Sequence, residues 1–127
     1  MKAIVMILLF LLMAVLSFSQ VYMSCDKVTL YAYNEASREF DQLNVEMSNS
    51  LFVFTEKAIT HTTPKQESVY YVKNYKENED GEMEINVLSD VGNEYFCVLD
   101  GKDYEIRFFY KKEEQVYIVA YRIKTHW

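Results

Sequence analysis

The sequence predicts an all-β fold: a small antiparallel meander of about eight to nine strands that closes into a barrel or folds into a two-layer sandwich. Three observations predict it. From residue 28 onward, apolar and polar side chains alternate with period two, the spacing of a strand with one face buried. The runs are rich in β-branched and aromatic residues, with 11 Tyr and 8 Phe in 127 residues, which suit a pleated, half-buried surface. All 3 glycines fall between runs rather than inside them, where a turn uses their freedom at positive φ.

The segment before the first run is of another kind. Lys2 is followed by an uninterrupted apolar stretch, Ala3 to Leu16, and Ser17-Phe18-Ser19 then sets small residues where a signal peptidase needs them. These three parts predict a helical secretory signal peptide over residues 1–19, cleaved before Gln20, and a single β domain over residues 20–127. The apolar stretch falls short of the roughly 20 residues of a spanning helix, so no membrane span is expected after cleavage. Lipid anchoring at Cys25 is a weaker alternative, because only Ser24 of Tyr22-Met23-Ser24 suits it. The expected destination is the bacterial periplasm or outer surface, or the medium.

The runs follow in order. Val28, Leu30 and Ala32 alternate with Thr29, Tyr31 and Tyr33. Asn34 to Phe40 is the one stretch that could form a short helix. Phe40 precedes Leu43, Val45 and Met47, which alternate with Gln42, Asn44 and Glu46 and predict an apolar face turned to the core. Leu51 to Thr55 reads as a strand buried on both faces, followed by Ala58 to Thr63. Pro64 breaks the chain before Val69 to Tyr75. Met83, Ile85 and Val87 form the next inward set, and Tyr95, Cys97 and Leu99 another. The two last and longest runs, Tyr104 to Tyr110 and Gln115 to Lys124, carry apolar groups on both faces and predict central strands. Asp100-Gly101 predicts a tight hairpin turn with glycine at positive φ. Lys111-Lys112-Glu113-Glu114 predicts a polar turn without glycine.

Cys25 and Cys97 are the only cysteines. An even count in an oxidising compartment points to one disulfide, closing a loop of about seventy residues and contributing roughly 4 kcal/mol. The competing reading leaves Cys97 a small buried apolar residue among Tyr95, Val98 and Leu99.

Composition narrows the function. With Lys2 removed, 12 cations face 19 acids, a net −7. That balance argues against nucleic acid, whose binding requires clustered cations, and against docking to anionic lipid. Only His61 and His126 could serve as histidine bases or ligands. His61 reads as a half-buried strand residue, and His126 lies at a chain end where fraying is expected. Neither cysteine neighbours a histidine, no nucleophile-elbow motif occurs, and no glycine-rich phosphate loop is present. Asn78-Glu79-Asp80-Gly81-Glu82 resembles a calcium loop only loosely, since Gly81 comes too early. No enzymatic activity, cofactor or metal is expected.

Eight of the tyrosines lie between Tyr70 and Tyr121. Tyr70, Tyr71, Tyr95, Tyr104, Tyr110, Tyr117 and Tyr121 are the candidate ligand face, with apolar rings and polar tips; cross-strand packing alone would also account for them. The leading expectation is an exported non-enzymatic binding or interaction domain. Its partner would be a small apolar ligand or another protein at an aromatic barrel mouth. The alternative is a structural or assembly component that pairs through an exposed β edge. A small carboxylate-based hydrolase is the remaining reading.

Overall fold

The computed structural model describes residues 20–126; the predicted signal peptide lies outside them. The strands are β1 (Val21–Asn34), β2 (Glu39–Phe54), β3 (Ala58–Thr62), β4 (Glu67–Glu77), β5 (Met83–Ser89), β6 (Glu94–Asp100), β7 (Glu105–Lys112) and β8 (Gln115–His126). Each pairs antiparallel with the next, and β8 returns to β1, closing an eight-stranded barrel. Closure satisfies the apolar face of a twisted sheet and leaves it few open edges. Between the two forms expected from alternation, barrel and sandwich, the chain adopts the barrel.

Alternation fixes which side chains face inward. The core contains Val21, Met23, Cys25, Phe52, Phe54, Ile59, Met83, Ile85, Val87, Cys97, Leu99, Ile106, Phe108 and Ile123. Directly opposed residues of antiparallel strands share a face, and the pairs Ile85↔Cys97, Cys97↔Phe108 and Phe108↔Val119 carry one inward row across four strands. Packing is close. A void of about 20 Å³ between Phe54, Ile59, Val72 and Ile85 has room for about one water molecule. β7 and β8 bury both faces, Ile106 and Phe108 inward and Ile118 and Ala120 outward, as their doubly apolar sequence predicts.

Several local expectations are corrected. Residues 35–38 form a turn rather than a short helix: the Asn34 side chain accepts from the Ala36 N–H, and Arg38 takes a φ of 60°. Gly101 does not provide the positive φ of its turn; Tyr104 does, at 51°. The Asp100 carboxylate accepts from the Lys102 and Asp103 N–H groups, and this side-chain bracket organises a longer turn than Asp-Gly suggests. His126 is the last residue of β8 and pairs with Met23. Cys25 and Cys97 are separate, buried free thiols: β1 and β6 lie two strands apart around the wall, with β8 and β7 between them.

The largest departure is in β2. Its last four residues, Leu51 to Phe54, pair with β3, and there β3 ends at Thr62. Among the described residues, the first twelve of its sixteen, Glu39 to Ser50, pair only with β1. Leu43, Val45 and Met47, expected to face the core, are exposed instead, Met47 at 67% and Leu43 at 56%, and Phe40 is exposed as well. The reason is the absence of a wall: among the described residues, no strand continues alongside β2 beyond Thr62.

Candidate functional site

Two features meet at the end of the barrel formed by the β1–β2, β5–β6 and β7–β8 turns: an aromatic interior and the open side of β2. Five of the seven predicted tyrosines come together. Tyr117 stacks on Tyr110 with centroids 5.3 Å apart, Tyr110 meets Tyr95 at 5.8 Å, and Tyr95 meets Tyr70 at 5.4 Å. Tyr70 and Tyr121 both contact Phe108, at 5.0 and 6.2 Å. Inward alternation on β4, β6, β7 and β8 puts these rings on one face, joined in a chain of contacts along the interior. The other two tyrosines are elsewhere. Tyr71 is 52% exposed on the outer wall, one residue out of phase with Tyr70, and Tyr104 lies in the β6–β7 turn at the opposite end.

His61 belongs to this interior and was not among the predicted ligand-face residues. Its ring lies on Phe52 at 4.1 Å, within 5° of parallel, and Tyr121 meets it edge-on at 4.8 Å. Burial lowers its pKa to about 4, so the imidazole is neutral at pH 7. Among the described residues, its Nε2 has no hydrogen-bond partner, and neither has the buried Ser50 hydroxyl. Burial also pushes Cys25 up to about 12, helped by the Asp26 charge, and raises Cys97 and Tyr121 strongly. These groups are therefore protonated thiols and phenol, poor nucleophiles at neutral pH. The chemistry of the interior is packing and weak polar contact.

At the rim, β6 and β7 part above the pair Phe96↔Phe109. The gap is a groove of about 390 Å³ lined by Tyr95, Tyr110, Phe96, Phe109, Lys73, Glu94 and Lys111. On the β6 side of it, Lys73 on β4 donates to Glu94 at 2.8 Å, and that contact lowers the Glu94 pKa. Phe40, at the start of β2, reaches Phe109 at a centroid distance of 6.5 Å, so the β1–β2 hairpin curls back over the outer wall of β7.

The open side of β2 has two faces that the register identifies. Glu46 lies opposite Val28, and Val28 opposite Tyr121; Asp41 lies opposite Ala32, and Ala32 opposite Tyr117. Asp41 and Glu46, with Asn44 opposite Leu30, thus share the face of the inward tyrosines. Val45 lies opposite Thr29 and Met47 opposite Lys27, on the outer face. No Lys or Arg occurs from Glu39 to Glu56. Edge strands are ordinarily blunted by Lys, Pro, brevity, bulges or inward-pointing charge; this one is long and lacks Lys and Pro, but it carries Glu39, Asp41 and Glu46 and two register shifts against β1.

The acids cluster at the opposite end. Arg107 contacts Glu82 at 2.6 Å, Asp100 at 3.2 Å and Glu105 at 3.4 Å. Burial raises Asp100, but the Asp103 N–H, the Arg107 charge and the Lys102 N–H outweigh it, and its pKa is lowered. This network ties the ends of β5, β6 and β7 together. The Asn78 to Glu82 segment is a hairpin turn in which the Asn78 side chain accepts from the Asp80 and Glu82 N–H groups. Among the described residues, no group of His, Cys, Asp and Glu is arranged to hold a metal ion. No protein-family model, curated protein or solved structure matches the chain.

Proposed function

We propose that this chain is an exported, non-enzymatic interaction module that captures an extended segment of another protein by strand addition along β2. The observation that carries this reading is the stretch Glu39 to Ser50, paired among the described residues with β1 alone and bearing exposed Phe40, Leu43, Val45 and Met47. Strand addition satisfies the free N–H and C=O groups of such an edge and covers its apolar side chains. A buried neutral His61, two protonated thiols and close interior packing favour binding over catalysis. The inward apolar alternation is the reverse of a lipid-facing barrel, where the lumen is polar. No helix among the described residues is long and apolar enough to cross a membrane.

The test is site-specific photo-crosslinking in the cells that produce the protein. A photoreactive residue at Leu43 or Met47 gives one discrete adduct, and one at Val91, an equally exposed apolar residue on the β5–β6 turn, gives none. Val45→Lys abolishes the adduct while leaving the melting temperature unchanged, because Val45 is outside the core. Equal adducts at Val91 and Met47 would remove the basis for this reading. A second reading, a small apolar ligand, has its space in the rim groove between β6 and β7. Retention of such a ligand in native mass spectra, lost in Phe109→Ala, would favour it.

A further inference from the structure

We infer that the segment captured by β2 is a cationic strand in which Lys or Arg alternates with aliphatic or aromatic residues, the cations turned toward the barrel mouth. This rests on the strand-addition reading and specifies its partner. The two faces of β2 differ in chemistry. Toward the mouth the strand presents Asp41, Asn44 and Glu46; outward it presents Val45 and Met47. A strand laid beside β2 has period two, so every second side chain meets acid or amide and the others meet apolar surface.

Cross-strand pairs of opposite charge stabilise a sheet and like charges destabilise it. Acid-bearing segments are therefore disfavoured, and so is a second copy of β2, whose acids would meet acids. The tyrosines strengthen the same choice. Tyr117 and Tyr121 share the inward face with Asp41 and Glu46 through the register of β1, and Tyr110 stacks on Tyr117. A long cationic side chain passing the carboxylates meets aromatic rings, whose faces attract cations. The whole chain carries a net charge of −6, which hastens the approach of a basic segment at low salt.

The position of the site follows from β3. The incoming strand continues the line of β3 beyond Thr62, where the wall is missing. Twelve residues of open edge span roughly 40 Å at about 3.3 Å per residue, so a segment of about eight to twelve residues fills it.

The test uses four labelled ten-residue peptides: Lys alternating with Val, Thr alternating with Val, Glu alternating with Val, and a Lys/Val peptide with all lysines in one block. Binding is read by fluorescence anisotropy at low and high salt and located by amide hydrogen exchange. The alternating Lys peptide is expected to bind about tenfold tighter than the Thr peptide, to weaken with salt, and to protect amides within Glu39 to Ser50. The blocked peptide binds more weakly, and the double variant Asp41→Asn, Glu46→Gln removes the tenfold preference without removing protection by the Thr peptide.

If the Thr or Glu peptide binds β2 as tightly as the Lys peptide, the cationic assignment is overturned and strand addition stands. The same holds if the protein dimerises with concentration and protects its own β2 amides. If the blocked peptide matches the alternating one and the double variant changes nothing, the attraction is diffuse and the assignment is again overturned. If no peptide protects β2 and the protein does not dimerise there, the strand-addition reading itself fails.

Discussion

At the scale of a single residue, His61 shows how burial decides chemistry. Between Phe52 and Tyr121, with Nε2 unpartnered, its imidazole resists protonation down to about pH 4, whereas in the unfolded chain it titrates near 6.5. Between those values the unfolded state binds the extra proton, so stability is complete above about pH 6.5 and is lost as pH falls toward 4. From pH 7 to pH 5 the loss amounts to about 2 kcal/mol. Asp26, Glu94 and Asp100, whose pKa values are lowered, lose their contribution as pH falls through their own folded pKa values. Comparison with His61→Phe therefore isolates the histidine. Urea unfolding of both proteins at pH 7 and pH 5 is expected to give a smaller pH dependence in the variant; equal losses would show that His61 is not the group being protonated. The sequence located His61 on an apolar-faced strand, but nothing local to Ile59-Thr60-His61-Thr62 announced Phe52 and Tyr121. Phe52 arrives as the partner of His61 across the β2–β3 hairpin, and Tyr121 arrives from β8 through closure.

At the scale of an element, the β7–β8 hairpin is shaped against local preference. Glu113 and Glu114 occupy φ values of 51° and 69°, the pair of left-handed residues that a two-residue turn between twisted strands requires and that Asn-Gly adopts readily. Replacing Glu113-Glu114 by Asn-Gly is expected to stabilise the protein by roughly 1 kcal/mol, after subtracting a weak surface contact from Lys111 to Glu114. That corresponds to a rise of roughly 4 °C in melting temperature; no rise, or a fall, would mean that the strain is not carried by these two residues. The strands themselves were legible because period two is a local property, and β3 to β8 fall where the alternation puts them. The turns were legible only in part. Asp100-Gly101 looked like the tightest hairpin signal, yet the positive φ passed to Tyr104, because the Asp100 side chain bracketed the next two N–H groups. β2 misled for a different reason. Its alternation is as regular as that of β5, and alternation reports which residues share a face, not whether a neighbouring strand exists to cover it. The stretch that the sequence assigned to the core is the candidate site.

At the scale of the whole molecule, closure joins strands near opposite ends of the described chain. Met23 pairs with His126, and the Asp26 carboxylate accepts from the Arg122 guanidinium at 2.9 and 3.0 Å. The five inward tyrosines lie on the contiguous strands β4 to β8 and were legible from alternation, whereas the open side of β2 was not, because it depends on where β3 ends. Closure also makes a prediction about opening. Cys25 on β1 and Cys97 on β6 are buried in one core, 2% and 0% exposed, and both thiols are held protonated. Reaction with an alkylating reagent requires exposure followed by ionisation. If the barrel opens only as a unit, both cysteines become accessible in the same event, with the urea dependence of global unfolding. Mass-resolved alkylation under native conditions is then expected to give equal opening free energies for the two sites after correction for intrinsic thiol reactivity. Faster labelling of Cys25, with a shallower urea dependence, would instead identify a seam beside β1. The place for such a seam is the bulge where Cys25 lies opposite Ser50 and the next pair is Lys27 with Met47. There β2 loses its second neighbour, and a bound strand that extends β3 past Thr62 would slow Cys25 labelling selectively while leaving Cys97 unchanged.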